Sequence, residues 1–584
     1  ASNNTAVGFE ALKANTTGSH NTAVGWETMK SNQTGTNNAA FGAGALKNNT
    51  SSFNTGIGRH ALEDNTSGTK NTGVGNLALL RNTTGSFNTS LGFDALGDNT
   101  TGEKNVAVGS HSLLVNETGS NNTAVGEAAL NQNTASNNTA IGFESLKLNT
   151  TGTENVAIGA NAADAGTNIS NTVAVGYNAL TNTTNNHNTA VGSKALEDTT
   201  SGSGNVSVGS LCLTDNTTGA NNTGVGFSCL RYGTTGANNS ALGVGALQNN
   251  TASNNTAVGS QALQANTDGT QNVAIGGSAL LSNTTANENT AVGYNSFKDS
   301  TTARRGVAVG HSAGKSITTG SFNTAVGFNA LTDCETGASN VAIGNGAAVN
   351  ITTGSNNVAL GTVAMHDAVS SANSVAVGRD SLYSTTDSIY NIAIGYRASF
   401  GGDQGANNIG IGAFALSQNT AANLVAVGFS ALEKNTSGTN NVALGYKALE
   451  ENTTASNNTA VGYEALNLNT TGANNTAIGE NSLAVNTTGS HNVAVGKDAL
   501  DANTEGSNNV AIGRFALTSN TTAGSNIAVG DSTLSQNLTG AENVAVGGNA
   551  MVANTTGGGN IGIGFQCLDA NTTGGANTAV GRSA

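Results

Sequence analysis

Proline is missing from this chain altogether, which suits a fold in which every segment donates its backbone N–H groups to a neighbouring strand. Aromatic residues make up 4% and charged residues 10%, so neither an aromatic globular core nor a charge-extended disordered chain is written here. Basic residues are few, 21 against 35 acidic ones, and they are scattered singly. With a net charge of -14 a nucleic-acid groove is not expected, and the acidity reads as ordinary solubility. No apolar run approaches the ~18 residues of a membrane span and no signal-peptide pattern is present, so this segment is not expected to insert into a membrane.

Cysteine and histidine are equally thin. Of the four cysteines, Cys212, Cys229 and Cys567 fall where the pattern described below places a small residue, and Cys334 falls in a column of asparagines. Cys212 and Cys229 lie one repeat apart, within bridging distance, but their stacked side chains should run parallel; free, buried thiols are expected. The seven histidines (His20, His60, His111, His187, His311, His366 and His491) occupy different repeat positions, with no pair at metal spacing. No metal, cofactor or enzymatic activity is expected.

What the chain does contain is one phrase, repeated. Gly8 is followed by a glycine every 16 or 17 residues, through Gly25, Gly42 and Gly58 to Gly462 and Gly581. Of the 34 intervals, 29 are 17 residues long and five are 16, and a fixed period this short predicts a solenoid in which each repeat is one coil. Numbering the register glycine zero, the coil reads Asn-Thr-Ala-Val-Gly, two polar residues, Ala-Leu, two polar residues and Asn-Thr-Thr-Gly, as in Asn4 to Gly18. The residue before the glycine is always Val, Ile, Leu or Phe, and the one before that always Ala, Gly or Ser. This alternation predicts a short strand, and the Ala-Leu segment after the glycine a second. Asn-Thr-Thr-Gly is turn chemistry. Asn15, Asn32, Asn49, Asn65, Asn82 and Asn99 form a column whose amides should stack as in cross-β ladders.

The expected fold is thus all-β, a parallel β-solenoid of about 17 residues per coil and about 34 coils, one continuous domain over 1–584 and roughly 160 Å long at the usual strand spacing. Two dependable large apolar residues per coil, the pre-glycine Val and the Leu at +4, offer little core against the entropy of ordering 17 residues. A homotrimer, with small residues at -2 and +3 letting chains approach closely, is therefore expected. The glycine itself is explained by positive φ or by such close contact. Solenoid ends need caps, and flanking fibre or anchor domains are expected to supply them.

Segments such as Asn155-Val156-Ala157-Ile158-Gly159 and Asn373-Ser374-Val375-Ala376-Val377-Gly378 resemble the head repeat of trimeric autotransporter adhesins. That resemblance implies a left-handed β-roll with three chains around a common axis. The coil here is longer than is usual in that family, and neither a heptad stalk nor a membrane-anchor barrel is visible. The fuller phrase, as from Asn458 to Gly472, is similar to repeats of bacteriophage tail fibres and related surface fibres.

Between about Gly293 and Gly412 the repeat is irregular: the Asn-Thr-Thr turn decays and Phe297, Gly314, Ala348, Met365 and Ser399 interrupt the Leu column. Arg304, Arg305, Tyr383, Tyr390, Arg397 and Phe400 appear there, residue types suited to holding sugars or protein surfaces, and they are the candidate binding residues. Drift of the repeat with compensating core changes is the plainer reading of the same stretch. Three functions fit the sequence: a structural and adhesive fibre shaft of tail-fibre type, carrying a receptor-binding tip and meeting a host glycan or protein; a bacterial cell-surface adhesin head; and an ice-binding solenoid using Thr16, Thr50, Thr66, Thr83 and Thr100. The first two imply an extracellular location, on a virion or a cell.

Overall fold

A computed structural model describes residues 1–584 and divides into two compact units, Ala1–Asn289 and Thr290–Ala584. Each is a parallel β-solenoid of about 17 residues per coil, and together they make about 34 turns with no helix. The first runs from β1 (Thr5–Val7) to β17 (Val273–Ile275), the second from β18 (Thr290–Val292) to β35 (Thr578–Val580). Every strand has three residues, and within each unit neighbouring strands pair in register, Thr5 with Thr22 and Ala6 with Ala23, so equal offsets lie above one another and form columns.

Each coil has one strand, not two. The Ala-Leu segment is a turn in which offsets +2 and +4 both take positive φ, 56° at Glu10 and 51° at Leu12. Left-handed residues alternating with right-handed ones bend the chain inward, and this is how the Leu side chain reaches the coil interior. Leu46, Leu62 and Leu79 are fully buried. Such backbone costs a non-glycine residue about 1–3 kcal/mol, which the stacked coil above and below must hold in place.

The core also differs from the sequence expectation in its membership. The middle residue of each strand points inward and the two flanking ones point out, so the pre-glycine hydrophobe lies outside the core: Ile57 is 40% exposed and Leu91 48%. The interior is filled by Ala at -2, Ala at +3 and Leu at +4. Small residues at -2 and +3 are therefore packing groups of their own coil and do not face a neighbouring chain. The register glycine is explained twice over: at Gly462 φ is +144°, and an added Cβ would lie 2.6 Å from the carbonyl carbon of Gly479, one coil on.

Two buried columns of asparagine complete the cross-section. In the Asn-Thr-Thr turn, Asn65 Nδ2 donates to Asn49 Oδ1 at 2.6 Å, Asn82 to Asn65 at 2.6 Å and Asn99 to Asn82 at 2.7 Å. Asn15 and Asn32 donate only to the carbonyls of Gly18 and Gly35. The second column, at -4, was not foreseen as a ladder: the Asn38 N–H donates to Asn21 Oδ1 at 3.0 Å while Asn21 Nδ2 donates to Gly35 O at 2.8 Å. Each bond is worth about 1 kcal/mol net, but an orphaned buried amide costs more, so the columns punish any slip of register. The 16-residue coils lose their residue from this turn. Asn49 Nδ2 caps Ser51 O where Asn65 caps Gly68 O, and Ala39 still pairs with Thr55.

Core substitutions compensate one another locally. Phe297 replaces Leu and is followed one coil on by Gly314, whose Cβ position would lie 2.5 Å from the Phe297 ring. Cys212 and Cys229 are joined by a disulfide, with Cα atoms 4.8 Å apart, rather than being free thiols. Gly224 replaces the usual Ala beside them, where a Cβ would lie 2.6 Å from Cys212 Sγ. Cys334 stays free in the Asn column, and burial pushes its thiol up to about 12.

Candidate binding surface

The irregular coils between Gly361 and Gly412 bring charged and aromatic side chains into one patch through simple column arithmetic. Offset +2 carries Asp380 and Arg397 in successive coils, offset +1 carries Arg379 and Tyr396, and offset +5 carries His366, Tyr383 and Phe400. Because +1, +2 and +5 are neighbours on the outside of the post-glycine turn, these residues meet. Tyr383 stacks between His366, with ring centres 5.1 Å apart and planes within 4°, and Phe400 at 5.2 Å. The Arg397 guanidinium lies over Phe400 at 4.6 Å and over Tyr396 at 5.5 Å, distances at which the ring quadrupole attracts a cation.

Charge in the patch is unevenly shared. Asp380, which is buried, has one carboxylate oxygen 3.4 Å from Arg379 Nε and 3.7 Å from Arg397 Nε. Two guanidiniums thus share one carboxylate, and Arg397 Nε has no hydrogen-bond partner. Arg514 is the contrast: it sits over Phe515 at 5.1 Å but donates through Nε at 2.9 Å and Nη2 at 3.4 Å to both oxygens of Asp531, so its charge is satisfied within the protein. That pairing holds the Asp531 carboxyl below its usual range and raises Arg514.

Of the candidate residues, Tyr383, Arg397 and Phe400 converge. Tyr390 does not; it occupies the corner before the strand, at φ 61° and 57% exposed. Arg305 occupies the same corner five coils earlier, over Phe322 at 5.8 Å, and Arg304 adjoins it with its N–H donated to Ser321 Oγ. Arg379, Asp380 and Tyr396 do not stand out in the sequence. Residues at +1, +2 and +5 of adjacent coils were the available signal, but it is readable only once the post-glycine segment is known to be a turn with outward offsets.

Aromatic stacking is also not confined to the irregular coils. Phe429, Tyr446 and Tyr463, all at +1, stack with centres 5.4 and 5.2 Å apart. The rings cover one another's faces and expose their edges, which makes the row a stabilising ladder. The threonine column considered for ice has its hydroxyls engaged: Thr66 Oγ1 donates to Thr83 O at 2.9 Å and Thr83 Oγ1 to Thr100 O at 3.0 Å, one coil on.

Within each unit the strands present an outward face. Their first and third residues are Thr, Val, Ile, Ser, Ala, Leu or Phe throughout, with no charge in any strand. Leu242 is 50% exposed and Leu444 46%. Charged residues gather instead on the post-glycine turn, where Lys30 reaches Glu10 at 2.5 Å and Glu27 at 2.6 Å. Lys13 and Lys30 together hold the Glu10 carboxyl down to about 2. Comparison with protein-family models and with curated proteins found no match.

Proposed function

We propose that the chain is the shaft of an extracellular fibre of tail-fibre type, a homotrimer that holds a receptor-binding tip away from a particle or cell and touches the host surface through its irregular coils. The observation that carries the reading is the uncharged outward strand face. Monomeric proteins rarely expose contiguous apolar patches of more than a few hundred Å². At ~4.8 Å per coil and ~7 Å between alternate residues, the outward column over one unit covers on the order of 600 Å², close to what each partner contributes to a standard interface. Side-by-side packing of copies, in the left-handed three-chain arrangement the family resemblance implies, removes that face from water. A trimeric adhesin head of a bacterial surface is the second reading and shares the same chain packing; enzymatic activity has no part in either.

Deleting coils tests the shaft role. Removing residues from just after Gly479 to Gly547 takes out four whole coils, so strand and Asn columns close again in register. The expected result is a fibre shorter by about 19 Å with unchanged attachment to its host surface. Loss of attachment on this deletion would contradict a shaft role for the regular coils. Unchanged attachment after substitution of the irregular-coil patch, with loss only when a tip domain is removed, would make the segment a spacer alone.

A further inference from the structure

We infer that Arg379 and Arg397, with Tyr396 beside them, form a subsite for an acidic saccharide, a sugar ring carrying a carboxylate; the inference rests on the reading that the irregular coils contact a surface ligand. Three observations converge on it. Two guanidiniums in successive coils are left with a single, buried carboxylate between them, the other acid of the patch, Asp367, being engaged with His366 at 2.7 Å. Arg397 is held in place without spending its donors: its plane rests on Phe400 and Tyr396, and its nearest carboxylate oxygen is 3.7 Å away. An arginine ordered by ring stacking loses little further freedom on binding, and its fork of N–H groups matches a carboxylate.

The aromatic residues argue for a sugar in particular. Tyr396, 40% exposed, stands next to the guanidinium pair, is set edge-to-face with Phe414 at 5.4 Å, and presents the exposed part of an amphipathic ring, apolar on its body and hydroxylated at its tip. A pyranose has C–H groups to rest against the exposed part of such a ring and hydroxyls that reach water or the Tyr hydroxyl. A carboxylate on the same ring bridges Arg379 and Arg397. Tyr383 and Phe400 are partly buried and serve as the platform that fixes Arg397; they are positioning residues. Arg304, Arg305 and Tyr390 stand on other columns and play no part.

The test uses the full chain and three soluble oligomers of equal length: an oligo-uronate, its carboxyl-reduced neutral form and a sulfated neutral oligomer. Calorimetric titration at low salt is expected to show the oligo-uronate binding at least tenfold more tightly than the reduced form. Arg379→Gln with Arg397→Gln should lower that affinity at least tenfold, whereas Arg514→Gln should leave it unchanged. Phe400→Leu, which keeps both charges but removes the platform, is expected to give a smaller loss. Equal binding of the reduced form, lost in the double variant, would overturn the acidic-sugar assignment while leaving a binding patch in place. Preference for the sulfated oligomer that survives the double variant would assign the binding to charge elsewhere and overturn the subsite. No binding of any oligomer, with host attachment unaffected by the double variant, would overturn both the subsite and the surface-contact reading beneath it.

Discussion

Replacing Gly462 by alanine is the sharpest single perturbation of the stack. The new Cβ would stand 2.6 Å from the Gly479 carbonyl carbon, closer still to its oxygen, and 3.2 Å from the Glu480 nitrogen. All three are backbone atoms of the next coil, so relief requires the coils to separate. Separation stretches the bonds from Gly479 N to Val461 O at 2.8 Å and from Asn481 N to Tyr463 O at 2.9 Å, worth about 0.5–1.5 kcal/mol each. A non-glycine residue held at φ +144° adds strain of about 1–3 kcal/mol. Together these effects come to roughly 2–6 kcal/mol, equivalent to about a 30- to 10⁴-fold rise in local opening at tenfold per 1.4 kcal/mol. Stability in a stacked array is a sum over neighbouring interfaces, so the effect should be local and is best read by amide hydrogen exchange. Protection should fall in the coils around Gly445 to Gly479 and stay unchanged beyond about two coils. Glu464→Ala, two residues away on the outward turn, should change it little. Equal protection in the two variants would refute the assigned role of the register glycine.

Leu466→Ala empties the interior of one coil and is expected to cost about 2–5 kcal/mol, read as reduced local protection with the far coils intact. Asn469→Ala strands Asn452 Oδ1, which accepts from Asn469 at 2.9 Å, and should cost about 1–3 kcal/mol, while Asn486 Nδ2 loses its 2.8 Å bond to Asn469 but keeps Gly489 O at 2.9 Å. Gly224→Ala should destabilise its coil by crowding the Cys212–Cys229 pair, with thermal melting recovering once both cysteines are made alanine. Acid should weaken the first coils: the Glu10 carboxyl, held at about 2 by Lys13 and Lys30, contributes stability that is fully present above about pH 4.5 and is lost as the pH falls toward 2. Burial instead raises Asp164 and Asp501, so protonation favours their folded coils and acid should strengthen them; exchange at two pH values separates the two regions.

The period, the solenoid, the strand before the glycine and the turn asparagine ladder were legible because each is a direct consequence of repetition. The direction in which side chains point was not. A Val column next to an invariant glycine reads as core, yet Val and Thr flank an inward Ala and face out, because alternation in a three-residue strand leaves only its middle position inside. The Ala-Leu segment reads as a second strand by composition, and left-handed backbone at Leu12 or Leu46 has no signal in residue type, since stacking imposes it. The candidate patch was half legible for the same reason. Arg397, Tyr383 and Phe400 stood out as departures from the repeat, whereas Asp380 and Arg379 looked like ordinary polar offsets until the turn geometry placed them beside Arg397.

The outward strand face needs a cover, and association of chains supplies one. Sedimentation equilibrium of the full chain, alongside a variant with Val427, Leu444, Val461 and Ile478 all changed to glutamate, measures it most directly. The expected result is a particle of three times the 57.5 kDa chain mass for the native sequence and partial or complete dissociation of the variant with its coils still folded by circular dichroism. A native chain that sediments as a stable 57.5 kDa monomer would contradict it.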